Sequence, residues 1–276
     1  MPTTVPRRTA PTARGRRGPG WVPKQHGAWA MLAVPVVVGA ALAGPTWRHA
    51  LLLVAWLVAY LAFHAAGLWL KASRRPRYLP PVRAYGALTG ILGVALVASS
   101  PGLLWWAPIY GALLAVSLLC SARRADRSWL NDGVTVVAAM LMTVVSAGLG
   151  SSGPLPGADD PRAWAATGLL AAYFLGTVPY VKSLIRDRDD PRVLAVSVVF
   201  HAALLVGAVA GAVLAVPEGW GVRGLGGSIL LVAVAAALLA RAVLVPRRRP
   251  WPSAKAIGLG ETAATVVVMV VVLAVV

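Results

Sequence analysis

The sequence predicts an all-α fold, a polytopic membrane helical bundle of nine transmembrane helices. Three observations carry that reading. Over 276 residues the composition is 58% hydrophobic and only 13% charged, too little polarity to cover a soluble globule of this length. Apolar runs long enough to cross a bilayer recur to the end of the chain. The charge is confined to the segments between those runs.

Residues 1–20 are rich in Pro, Arg, Gly and Thr without apolar periodicity. They predict a disordered basic cytoplasmic tail, with 21–276 as a single membrane domain. Arg7, Arg8, Arg14, Arg16 and Arg17 suit anionic lipid headgroups. The first apolar run lacks a persuasive cleavage signal and reads as an uncleaved helix. The nine spans lie near 28–45, 48–70, 84–100, 103–121, 131–149, 163–181, 193–215, 225–245 and 256–275. Ser99-Ser100-Pro101-Gly102 turns the third span tightly into the fourth. A polar Gly/Pro loop joins the fifth to the sixth. Pro35, Pro108 and Pro179 fall within or at the ends of spans and predict kinks that a bundle accommodates. Gly39, Gly86, Gly90, Gly93, Gly148, Gly168, Gly176, Gly207 and Gly211 are read as sites of close helix approach within one bundle.

Charge sets the orientation. Of the 26 basic residues, only Arg48, Arg162 and Arg223 fall on the side opposite the tail. The positive-inside rule then predicts a multi-pass protein of the bacterial cell (inner) membrane, N-terminus cytoplasmic and C-terminus outside. A net charge of +17 would also suit nucleic acid, but there is no basic-aromatic recognition module, so no nucleic-acid partner is expected. The lone Cys120 allows no internal disulfide and no thiolate metal cluster. No His-Glu-x-x-His arrangement supports a zinc hydrolase.

Polar residues collect at the predicted cytoplasmic ends. The densest stretch is Tyr180–Arg192, YVKSLIRDRDDPR. If it continues a helix, Lys182 and Arg186 share one face. Asp187 and Asp190 leave room for a single Mg²⁺, which is not favoured because adjacent cations can neutralise them. Near the tail, Trp21 to Trp29 carries Lys24, for a phosphate or carboxylate, and His26, for a proton near neutral pH. The second span ends with His64 and, near the same face, Lys71. Asp132, opening the fifth span, reads as a helix cap or a partner for a central cation. Lys255 opens the last span, and Glu261 lies roughly 9 Å deeper by helical rise, where an acid needs pairing, hydration or a proton. His49 and His201 are weaker candidates, His49 facing water and His201 bonded within the bundle.

The segments WVPKQHGAWAMLAVP, YLPPVRAYG, SWLNDG, PYVKSLIRDRDDP and KAIGLGE together resemble the bacterial YwiC-like membrane family, over nearly everything after the tail. That resemblance implies a multispan membrane protein without a secure activity. The chain is more distantly similar to UbiA-type intramembrane prenyltransferases, which implies a possible UbiA-like arrangement of nine helices around a cytoplasm-facing cavity. Their acidic motif ending the second span has no counterpart in FHAAGLWLKASRR, and only the later DRDD corresponds.

The leading expectation is a divergent lipid- or isoprenoid-processing transferase with membrane lipids as partners and an anionic amphiphile as substrate. Lys24, Lys71, Lys182, Arg186 and Lys255 would bind the anion. His26, His64, Asp132 and Glu261 are the candidates for moving protons or orienting the basic groups. The alternatives are a permease for a small organic anion and a non-catalytic structural membrane protein.

Overall fold

The computed structural model describes residues 20–23, 27–214 and 224–276. The tail, Lys24, His26 and Arg223 lie outside the described residues. Within them the chain forms α1 (Gly27–Ala43), α2 (Trp47–Lys71), α3 (Leu79–Ser99), α4 (Ala107–Ala122), α5 (Trp129–Ala147), α6 (Pro161–Ile185), α7 (Pro191–Val213), α8 (Gly224–Leu244) and α9 (Ala254–Val275). No strand occurs among the described residues. This is an all-α, multi-spanning membrane bundle. Among the described residues eight helices are long and apolar enough to cross a bilayer, and they are α2–α9. At 17 residues α1 is shorter, about 26 Å by helical rise against a hydrocarbon core of about 30 Å.

Two boundaries depart from the sequence reading for local reasons. Helix α3 begins at Leu79 rather than near 84, with Pro80 and Pro81 in its first turn, where a missing N–H leaves no bond unmade. The predicted fourth span begins as a 3₁₀ segment, Pro101–Trp106, before α4. The starts of α5, α6, α7 and α9 are set by capping. Ser128, Asp160, Asp190 and Ser253 each place a side-chain oxygen on a backbone N–H of the following turn, a contribution of about 1 kcal/mol each.

The layout puts α5 and α6 in the middle, with α1 laid along α5 and also touching α2, α6 and α9. One core joins Val38 of α1, Met140 of α5, Leu170 of α6, Leu238 of α8 and Val272 of α9. A second joins Val36, Leu52, Trp106, Met142 and Val144. Lipid removes the hydrophobic drive between helices, so close packing and interhelical hydrogen bonds hold them. Between two helices, Gly39 supplies the closest approach among the described residues: a Cβ there would run into the Thr143 carbonyl oxygen and the Ser146 side chain. Ser146 Oγ donates to the Val36 carbonyl oxygen at 2.8 Å across the same contact. Gly176 likewise admits the ring of Phe200. The expectation of close approach does not hold at Gly86, Gly90, Gly93, Gly168 or Gly207, which have open space where a Cβ would stand.

Candidate functional site

The ends of α2, α6 and α8, the starts of α5 and α9, and the basic segments 71–83, 121–130, 182–192 and 246–255 lie on one side of the bundle, called here the basic end. At that end α6 separates two polar clusters.

The first is built on the link into α5. Lys71, the last residue of α2, places Nζ 2.7 Å from the Asp126 carboxylate. Asn131 Nδ2 donates to the Asp126 carbonyl oxygen at 2.8 Å. Lys182, on the last turn of α6, places Nζ 2.7 Å from Asp132 and 4.0 Å from the centre of the Trp129 ring. It also donates to the Arg127 carbonyl oxygen at 3.4 Å. Segment 126–132 is therefore clamped between a lysine of α2 and a lysine of α6. Partial burial presses the Asp126 carboxyl upward, but the hydrogen bond and charge of Lys71 outweigh it and hold the group below the ordinary carboxylate range.

The second cluster lies between α6, α8 and α9. Arg241 Nη1 donates to Glu261 Oε1 at 2.6 Å, with both side chains largely buried. The Arg241 guanidinium stands 4.2 Å from the Tyr180 ring centre. Thr177 Oγ1 donates to Glu261 Oε2 at 3.4 Å, and Tyr173 Oη donates to the Glu261 carbonyl oxygen at 3.3 Å. Arg241 Nε and Nη2 are buried and have no partner among the described residues. Unmade bonds of this kind cost about 1–3 kcal/mol each.

Above this cluster, away from the basic end, an apolar cleft of about 410 Å³ lies between α6, α7, α8 and α9. Gly168 and Ala172 of α6, Gly207 of α7, Ala235 and Leu238 of α8 and Val268 of α9 line it. The open space beside Gly168 and Gly207 belongs to this cleft. Tyr173 is common to both features: it lines the cleft, and its hydroxyl is bonded within the polar cluster.

The structure distributes the predicted site residues rather than gathering them. Lys182 and Asp132 meet, as the pairing alternative for Asp132 anticipates, and Ser128 rather than Asp132 caps α5. Helix α6 ends at Ile185, and Arg186 follows in helical conformation with its N–H on the Lys182 carbonyl oxygen at 3.1 Å, one turn beyond Lys182, with its side chain exposed. Asp190 caps α7 through Arg192 N at 2.9 Å, and its own N–H donates to the Asp187 carbonyl oxygen. Among the described residues no three His, Cys, Asp or Glu side chains are grouped to hold a metal ion. Lys255 is exposed, and His64 is half-buried in α2. His49 does not face water: it is buried, bonded by Nε2 to the Ser146 carbonyl oxygen at 3.0 Å and by Nδ1 to Thr46 N. His201 is buried and bonded to the Ser197 carbonyl oxygen. Sequence reasoning missed Arg241, Asp126, Tyr173 and Tyr180. Arg241 carried a partial signal, a basic residue inside the apolar run of α8, which does not by itself tell an inward pair from a snorkelling side chain.

Fold and site define a multi-pass bacterial membrane protein with ion pairs set between its helices. The family model described as YwiC-like protein matches residues 22–147. The chain is 34% identical to the uncharacterized protein YwiC of Bacillus subtilis over 169 residues, 61% of this chain and 69% of that protein. It is 28% identical to an uncharacterized protein of Haemophilus influenzae over 181 residues, 65% of this chain and 74% of that protein. No solved structure matches. The chain belongs to the YwiC-like family. The matched segment covers α1–α5 and the Asp126–Asp132 clamp, whereas the cleft and the Arg241–Glu261 pair lie beyond it.

Proposed function

We propose that this protein handles a membrane amphiphile, holding its apolar chain in the cleft between α6, α7, α8 and α9 and its polar head toward the basic, cytoplasmic side. The observation that supports this reading is the shared wall at Tyr173, where an apolar cleft of ligand size adjoins a buried polar cluster. A lipid- or isoprenoid-processing transferase is the activity class suited to that arrangement. The head is placed nearer α8 and α9 than Lys71 and Lys182 because those helices line the cleft and neither lysine does. Nothing is taken from the paired-metal chemistry of UbiA-type enzymes. The comparisons give that likeness no support, and residues 62–77 hold no carboxylate.

The test is purification into lipid nanodiscs followed by mass spectrometry of bound lipid, with vesicle assays of turnover and flux alongside. An amphiphile enriched over bulk lipid, lost in Gly207→Leu, is the expected result. Turnover without flux identifies the transferase. Flux of an unchanged small anion identifies a permease instead. No enrichment, turnover or flux would leave a structural role and overturn the reading.

A further inference from the structure

We infer that the amphiphile is an anionic one, with a phosphate or carboxylate head held by the Nε–Nη2 edge of the Arg241 guanidinium. This rests on the reading above and identifies the class of head that the site takes. Two of the guanidinium's directions are accounted for. Nη1 is engaged by Glu261 Oε1 at 2.6 Å, and one face is covered by the Tyr180 ring at 4.2 Å. The remaining edge carries Nε and Nη2, both buried and without a partner among the described residues. Those two N–H groups are parallel, and their spacing matches two oxygens of one carboxylate or phosphate. A neutral hydroxyl or single carbonyl would satisfy one donor and leave the other unmade.

Charge agrees with that assignment. Arg241 and Glu261 cancel each other, while Arg247, Arg248 and Arg249 follow immediately where α8 ends, so a further negative charge enters a net positive region. The position of the chain follows from the cleft. Leu238, one helical turn from Arg241, lines it, as does Tyr173, whose ring centre lies 6.0 Å from the guanidinium. From Leu238 to Ser228, also on the lining, α8 rises about 15 Å, half the hydrocarbon thickness of a bilayer. An alkyl chain attached to a head at Arg241 therefore meets, one turn away at Leu238, an apolar cleft that runs away from the basic end.

The test uses the full chain in nanodiscs of zwitterionic lipid, titrated with hexadecyl phosphate, hexadecanoate and hexadecanol, which share one chain. Wild type is expected to bind at least one of the two anions about tenfold or more tighter than the alcohol. Phosphate preferred over carboxylate, or the reverse, identifies the head. Arg241→Lys retains a cation for Glu261 but lacks the Nε–Nη2 edge, and the preference should fall to near unity. The double variant Arg241→Gln/Glu261→Gln removes the charge without leaving a lone buried carboxylate and should behave alike. Gly207→Leu, which fills open space in the cleft, should weaken all three probes. Equal binding of the three by wild type, or an unchanged preference in Arg241→Lys, overturns the anionic head while the amphiphile reading stands. Failure of every probe to bind, or indifference to Gly207→Leu, overturns both.

Discussion

Lys182 Nζ and the Asp132 carboxylate meet at 2.7 Å, tying the last turn of α6 to the first turn of α5. The lysine side chain is 11% exposed and the aspartate 26%, so each charge depends on the other for its solvation. Removing one partner leaves a mostly buried charge without a counter-ion. Lys182→Met should lower stability by about 1–3 kcal/mol, and Lys182→Met/Asp132→Leu should recover part of that loss. Thermal unfolding in detergent, run as a double-mutant cycle, measures the coupling. A coupling indistinguishable from zero would show that the pair does not bind α5 to α6.

The Lys71–Asp126 pair has a pH signature. The folded Asp126 carboxyl lies below its ordinary value, so its contribution is fully present above the unfolded value, near pH 4, and fades as pH falls through the lower folded value. Wild type and Lys71→Met should therefore differ by a constant amount in Tm between about pH 5 and 7, and converge below about pH 4. Convergence on raising the pH through that neutral range would contradict the sign.

Gly39 and Gly207 should respond differently to an added methyl group. Gly39→Ala drives a Cβ into the Thr143 carbonyl oxygen and Ser146, so α1 must move off α5. A loss of about 3 kcal/mol or more is expected. Gly207→Ala meets open space and should leave Tm within a degree or two. Equal effects at the two sites would place the closest helix contact elsewhere.

Charge placement predicts opposite sides for the two ends of the chain, inside for the N-terminus and outside for the C-terminus. Single cysteines at the two ends, in a background lacking the buried Cys120, give the readout with a membrane-impermeant thiol reagent. Labelling of both ends from the same side would show that one apolar helix does not cross, and the short α1 would be the first suspect.

Most of the bundle was legible in the sequence because each helix carries its own signal. A run of apolar residues bounded by Pro, Gly or arginine, such as 193–215, needs no partner to be recognised, since the bilayer demands that every backbone bond be made within the helix. Glu261 was legible for the same reason: an acid within such a run must be paired, hydrated or protonated. Its partner was not. Arg241 stands 20 residues away, and its position near the end of α8 looks the same in sequence whether it snorkels to the lipid surface or turns inward.

What the sequence by itself determined is the all-α membrane class, the approximate helix limits and the concentration of charge at one end. These are consequences of composition along the chain. The tertiary structure decided which charges meet. It sent Lys71 to Asp126 and Lys182 to Asp132, left Arg186 exposed one turn beyond Lys182, and set Gly39 against α5 while leaving Gly207 beside a cleft. The reason is that pairing between helices depends on their rotation and separation. Those are set by van der Waals packing among many residues at once, which no single stretch of sequence encodes.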